Sequence, residues 1–165
     1  MKAKNSPLFS HASDDWATPA SVFRPLLAKY HFTLDGAANA QNRLLPRWLG
    51  LGGLAEDALT YDWSGEKVWI NPPYSLCREF LEKATWEAID HSVLSVVLIP
   101  SRTDTRYFHD FVWDTDTCAP YPWVRSLNFI KGRIRFVSSK PLRKGSSRNS
   151  APFPSVVIEF GPIPY

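Results

Sequence analysis

The chain has 165 residues, a hydrophobic fraction of 44% and a formal net charge of +3, which suits one domain with a substantial core. No run of about 18 apolar residues is present, so no segment reads as membrane-spanning, and residues 1–14 lack the apolar centre of a signal peptide. Two cysteines, Cys77 and Cys118, supply neither a disulfide framework nor a metal-ligand spacing. The expectation is a cytoplasmic protein without structural metal, built as a flexible arm (1–14) and a single domain (15–165).

Fourteen prolines and seven tryptophans point to many short elements joined by proline-marked turns rather than to a helical bundle. In chain order, Thr18-Pro19 has the form of a helix N-cap followed by proline at the first helical position. Val22, Leu26 and Tyr30 then recur every fourth residue, with Phe23 and Leu27 beside them. Pro25 removes one hydrogen bond from that helix, which predicts a kink or two short pieces. Phe32-Thr33-Leu34 reads as a short strand ending in a turn at Asp35-Gly36. Pro46, Gly50, Gly52 and Gly53 argue against long elements across 39–56.

Val68-Trp69-Ile70 reads as the end of a buried strand, and the next four residues, Asn71-Pro72-Pro73-Tyr74, carry the most information in the chain. Neither proline can donate to a sheet ladder, so the strand stops there. Asn71 precedes proline and is held extended. The fixed proline φ angles make the Asn71 side-chain oxygen and the Pro72 carbonyl a rigid pair of neutral acceptors, with the Tyr74 ring beside them. That set matches an amino group on a planar ring. A strand-ending turn with a packed tyrosine is the plainer alternative.

Ser75 is a candidate N-cap for the following helix, whose stripe of Cys77, Phe80, Leu81, Ala84 and Ala88 runs to about His91. Val93 to Ile99 is a continuous apolar run closed by Pro100, as a central parallel strand requires. Thr105 to Trp113 suits a short helix. Val124 to Ile130, Ile134 to Val137 and Ser155 to Phe160 read as strands. Alternating strands and helices followed by strands alone predict an α/β sheet finished by antiparallel strands.

Charge is unevenly spread. Between Asp116 and Glu159 there is no acidic residue, while Arg125, Lys131, Arg133, Arg135, Lys140, Arg143, Lys144 and Arg148 all fall in that interval. Clustered cations neutralise phosphates and release counterions. A solvated basic tail serves solubility equally well, but Trp123, Phe129, Phe136 and Phe153 interleave with the charges, and this favours nucleic acid.

Taken together, these residues resemble the small phage-type DNA adenine N6-methyltransferases. The resemblance runs from Asp15 to Phe160 through Asp15-Trp16-Ala17-Thr18-Pro19, Phe32 to Ala38, Asp57-Ala58-Leu59 with Asp62-Trp63, Asn71 to Tyr74, Leu98 to Arg102, Gly132 to Phe136, and Ala151 to Pro154. It implies a Rossmann-like, S-adenosylmethionine-dependent fold with a mixed, mainly parallel sheet. It also implies methyl transfer to N6 of an adenine flipped out of duplex DNA in a prokaryotic cytoplasm; a monomer is the default expectation. Asn71, Pro72 and Tyr74 would be catalytic, with Pro73 and Phe153 completing the base pocket.

Trp16, Thr18, Asp35, Ala37, Asp57 and Leu59 would meet the cofactor. Thr18 either donates its hydroxyl to that cofactor or merely caps a helix, and Asp62 rivals Asp57. Gly36-Ala37-Ala38 departs from the glycine-rich turn of many methyltransferases. With no room for a separate recognition domain, the basic segment at about 125–150 would carry most DNA contacts. Cytosine N4, RNA adenine or a glutamine amide would be served by the same acceptor pair. A non-catalytic nucleic-acid-binding module is the remaining alternative.

Overall fold

The computed structural model describes residues 16–138 and 153–163. Its centre is a five-stranded sheet ordered β2-β3-β4-β9-β7. The strands are β2 (Leu34–Asp35), β3 (Lys67–Ile70), β4 (Leu94–Pro100), β7 (Val124–Phe129) and β9 (Ser155–Phe160). β2, β3 and β4 are mutually parallel, whereas β9 runs antiparallel to both its neighbours, β4 and β7. Four strands of this sheet thus point one way and β9 opposes them. The expected α/β sheet with antiparallel strands at its C-terminal end is present.

Burial on both faces of the sheet explains why β4 reads as an apolar run. Val68 and Ile70 of β3, Val97 and Ile99 of β4, and Val156, Ile158 and Phe160 of β9 enter one core, with Phe80, Leu81, Ala84 and Ala88 of α2 (Cys77–His91). The intervening Trp69, Val96, Leu98 and Val157 enter a second core with Phe23 and Tyr30 of α1 (Ala20–Tyr30). Both sheet faces are therefore covered, and neither leaves room for polar alternation. Each such buried side chain contributes about 1.5–3 kcal/mol. Trp69 anchors the second core, its ring 5.4 Å from Phe23 and 5.7 Å from Phe32.

Several local expectations give way to tertiary structure. Pro19, not Thr18, is the N-cap of α1, and its carbonyl accepts from the N–H groups of Val22 and Phe23. Pro25 sits inside one helix rather than between two pieces. Ser75 lies within a 3-10 turn (Tyr74–Leu76), so Leu76 occupies the N-cap of α2. Ile134 to Phe136 is not a strand; β8 comprises only Val137–Ser138 and pairs antiparallel with β1 (Trp16–Ala17).

Two features carry no periodic signal in the sequence. One is a small hairpin of β5 (Trp113–Asp114) and β6 (Ala119–Pro120) following α3 (Arg106–Phe111). The other is the run from Arg47 to Leu49, which lies alongside β2: Asp35 N–H donates to Arg47, and its carbonyl accepts from Leu49. No helix among the described residues is long and apolar enough to cross a membrane.

Candidate active site

The ends of two parallel strands place the polar groups. β2 finishes at Asp35, which is 2% exposed. The loop beyond it presses onto β3, with Gly36 N–H donating to the Trp69 carbonyl at 2.7 Å. A Cβ at Gly36 would lie 2.8 Å from Val68 Cγ1 and 3.1 Å from Ile70 Cγ1. One glycine therefore meets the steric need, for closeness rather than for an unusual φ. Asp35 Oδ2 accepts from the Leu44 N–H at 2.9 Å. Burial pushes the Asp35 carboxyl up to about 6, against the opposing pull of the Leu44 and Ala37 N–H groups.

Thr18 faces the same space. It is 4% exposed, and its hydroxyl has no hydrogen-bond partner among the described residues. With Ala17, Asp35, Ala37, Asn42, Leu44, Trp69 and Asn71 it lines a cleft of about 220 Å³, counted with its open mouth. Thr18, Asp35 and Ala37, expected at the cofactor, are thus gathered beside Asn71. Trp16 pairs with Ser138 in β1, next to Ala17. Asp57 and Leu59 are not among the lining residues; Asp57 Oδ1 instead accepts from the Leu59 N–H at 3.0 Å within a turn. Asp62 is exposed and accepts from the Ser64 N–H.

Asn42 and Leu44 escaped the sequence reading. A signal existed in Asn39-Ala40-Gln41-Asn42, where Asn39 Oδ1 accepts from the N–H groups of Gln41 and Asn42, and Asn42 Oδ1 accepts from Asn39. Two asparagines three apart commonly close such a turn on themselves.

Asn71 directly follows β3. Its residue is half-buried, and its side-chain oxygen is shielded from solvent. Pro73 is extended at φ −53° and ψ 132°, and its carbonyl accepts from Leu76 N–H, closing the 3-10 turn that carries Tyr74. The Tyr74 ring meets Phe153 at 4.9 Å and Phe136 at 6.4 Å, both edge-on. Pro72 is buried and Pro73 half-buried. The Phe153 plane is therefore nearly perpendicular to that of Tyr74 rather than parallel to it. Beyond it, the Arg102 guanidinium carbon lies 6.0 Å from the Phe153 ring centroid.

The basic interval is partly described. Ile134 and Phe136 are buried, while Arg133 and Arg135 alternate with them and are exposed, as is Lys131. Because Phe136 touches Tyr74, Arg135 is one residue from the aromatic pocket. Arg125 is exposed and donates to the Pro162 carbonyl at 2.9 Å. Lys140, Arg143, Lys144 and Arg148 lie outside the described residues. Elsewhere, Asp62, Glu87 and His91 bring possible ligand atoms within 4.8 Å of one another. Lys83 pairs with Glu87 there, and His91 Nδ1 is 2.9 Å from it, so the group is an ion-pair cluster joining α2 to the Trp63 turn.

Comparison with known proteins agrees with this geometry. The family model for DNA N-6-adenine-methyltransferase (Dam) matches residues 5–162. A DNA N-6-adenine-methyltransferase of Haemophilus phage HP1 (strain HP1c1) is 27% identical over 156 residues, covering 92% of this chain and 82% of that protein. One from Escherichia phage T1 is 31% identical over 109 residues, covering 65% of this chain and 43% of that protein. The chain belongs to the DNA N-6-adenine-methyltransferase family.

Proposed function

We propose that this protein transfers a methyl group from S-adenosylmethionine to N6 of an adenine turned out of double-stranded DNA. The observation that carries the reading is the double position of Asn71. It lines the cleft with Thr18 and Asp35, and three residues later Tyr74 meets Phe153. Donor and acceptor sites thus share one turn. The cleft opens where the parallel strands β2 and β3 end, the usual ligand position in open α/β sheets. This supports a Rossmann-like methyltransferase fold, formed by a single domain at 15–165 with a basic DNA-contacting segment at about 125–150.

The donor side fits the polar end of S-adenosylmethionine. The buried Asp35 carboxylate suits its ammonium, the unpartnered Thr18 hydroxyl suits its carboxylate, and Gly36 keeps the loop thin and close to β3. When bound, S-adenosylmethionine supplies an electrophilic methyl group on a sulfonium.

The chain's own residues then work on the amine. The adenine N6 lone pair is delocalised into the ring. Asn71 Oδ1 and the Pro72 carbonyl accept the two N6 hydrogens and favour the pyramidal geometry of attack, catalysis by positioning and fixed dipoles. The alkylated nitrogen is acidic and loses its proton without a dedicated base. Extrusion of the base costs a few kcal/mol, and stacking on Tyr74, worth about 1–3 kcal/mol, offsets part of that.

Incubation with labelled S-adenosylmethionine and mixed-sequence duplex DNA, followed by nucleoside analysis, tests the reading. Label in N6-methyl-2′-deoxyadenosine is expected. Label in N4-methyl-2′-deoxycytidine would reassign the acceptor, and no label in DNA would refute the proposal.

A further inference from the structure

Arg102 is the first arginine beyond β4, at the same end of the sheet as Asp35 and Asn71. Its backbone is fixed: the N–H donates to Pro100, and the carbonyl accepts from both Thr105 N–H and Thr105 Oγ1, the latter at 2.8 Å. Ser101 N–H donates to the Pro154 carbonyl at 2.9 Å, tying this turn to the segment that carries Phe153. The side chain is exposed, and its guanidinium makes no ion pair among the described residues. Instead it lies 6.0 Å from the Phe153 ring, whose other neighbour at 4.9 Å is Tyr74.

A rigidly based, solvent-facing guanidinium at the rim of an aromatic pocket meets the backbone of whatever base enters that pocket. Arginine matches a phosphodiester through two parallel N–H donors. We infer that Arg102 is a positioning residue that holds a phosphodiester flanking the flipped nucleotide. It thereby keeps the extruded base against Tyr74. This rests on the DNA adenine methyltransferase reading and adds to it a specific strand contact outside the basic interval.

The test is a cycle that crosses Arg102→Gln with duplexes carrying one neutral methylphosphonate at each phosphate near the target adenine. At one position the wild-type protein should lose about tenfold in kcat/KM, and Arg102→Gln should lose little further there. Arg102→Lys should recover part of the rate on ordinary DNA. Neutralising one phosphate contact should also reduce the salt slope of binding by about 0.9. Losses that multiply at every phosphate, or an unchanged rate in a folded Arg102→Gln protein, would overturn the inference. If the wild-type protein methylated no unmodified DNA, the underlying reading would fail and the inference with it. Methylation with a multiplicative cycle removes the Arg102 role alone.

Discussion

The rings of Tyr74 and Phe153 meet edge to face, with centroids 4.9 Å apart and planes at 86°. Planes this close to perpendicular mean that Phe153 is not stacked in parallel on Tyr74, and under the proposed function a planar base entering the pocket supplies that stack. Removing the ring by Tyr74→Ala should therefore cost about 5- to 150-fold in kcat/KM on duplex DNA, the loss of about 1–3 kcal/mol of stacking. A target adenine already unpaired in a mismatch should suffer less. Equal losses on both substrates would argue against a stacking role.

The proposed contact between Asp35 and the donor's ammonium predicts pH-dependent binding. The Asp35 carboxyl is raised from 3.8 to about 6 by burial, so the native state holds that proton more tightly than the unfolded chain. The protonated form contributes stability that is fully present below about 3.8 and is lost as pH rises through about 6. A cationic ligand group requires the opposite form. Affinity for S-adenosylmethionine should fall roughly tenfold per unit below that pH, measured by calorimetry from pH 5 to 8, and Asp35→Asn should flatten the profile. A flat profile in the wild-type protein would remove the ammonium contact.

Thr18→Val separates a ligand contact from a structural one. The hydroxyl is buried without a partner in the described structure, so replacing it by a methyl group should leave the unliganded unfolding midpoint unchanged or higher. Loss of a true helix cap would instead cost about 1 kcal/mol. Affinity for S-adenosylmethionine should weaken about tenfold, the loss of a hydrogen bond to a charged group. Unaltered affinity would return Thr18 to a packing role.

Gly36→Ala tests the close approach of the cleft loop to β3. The added methyl meets Val68 Cγ1 at 2.8 Å within a buried core, so loop or strand must shift, at a cost of about 1–3 kcal/mol. Urea unfolding should report that loss, and weaker S-adenosylmethionine binding should accompany it. A fully stable variant with normal binding would show that the loop has slack.

Elements whose cause is local were legible in the sequence. The stripe from Cys77 to Ala88 gives α2, the run closed by Pro100 gives β4, and the two prolines after Ile70 end β3. Elements fixed by distant partners were not. Thr18-Pro19 has the composition of a cap, yet the β1–β8 pairing turns Thr18 into the cleft. Asn42 and Leu44 reach the cleft because Asp35 binds the Leu44 N–H nine residues away, which no periodicity encodes. The same holds for Arg47 to Leu49, whose extended path is held by hydrogen bonds to Asp35 and Ala38. Asp57 Oδ1 accepts from the Leu59 N–H within its own turn, apart from the residues that line the cleft. Arg102 closes the Leu98 to Arg102 stretch of the resemblance, which assigns it no role of its own.

Asn71→Ala in single-turnover methylation, measured beside S-adenosylmethionine affinity, bears most directly on the shared turn between donor and acceptor sites. Loss of one preorganised polar contact to the reacting group should lower the rate by at least about 10²–10³-fold, while the donor still binds within a few-fold of the wild-type affinity. Turnover near the wild-type rate would contradict the account.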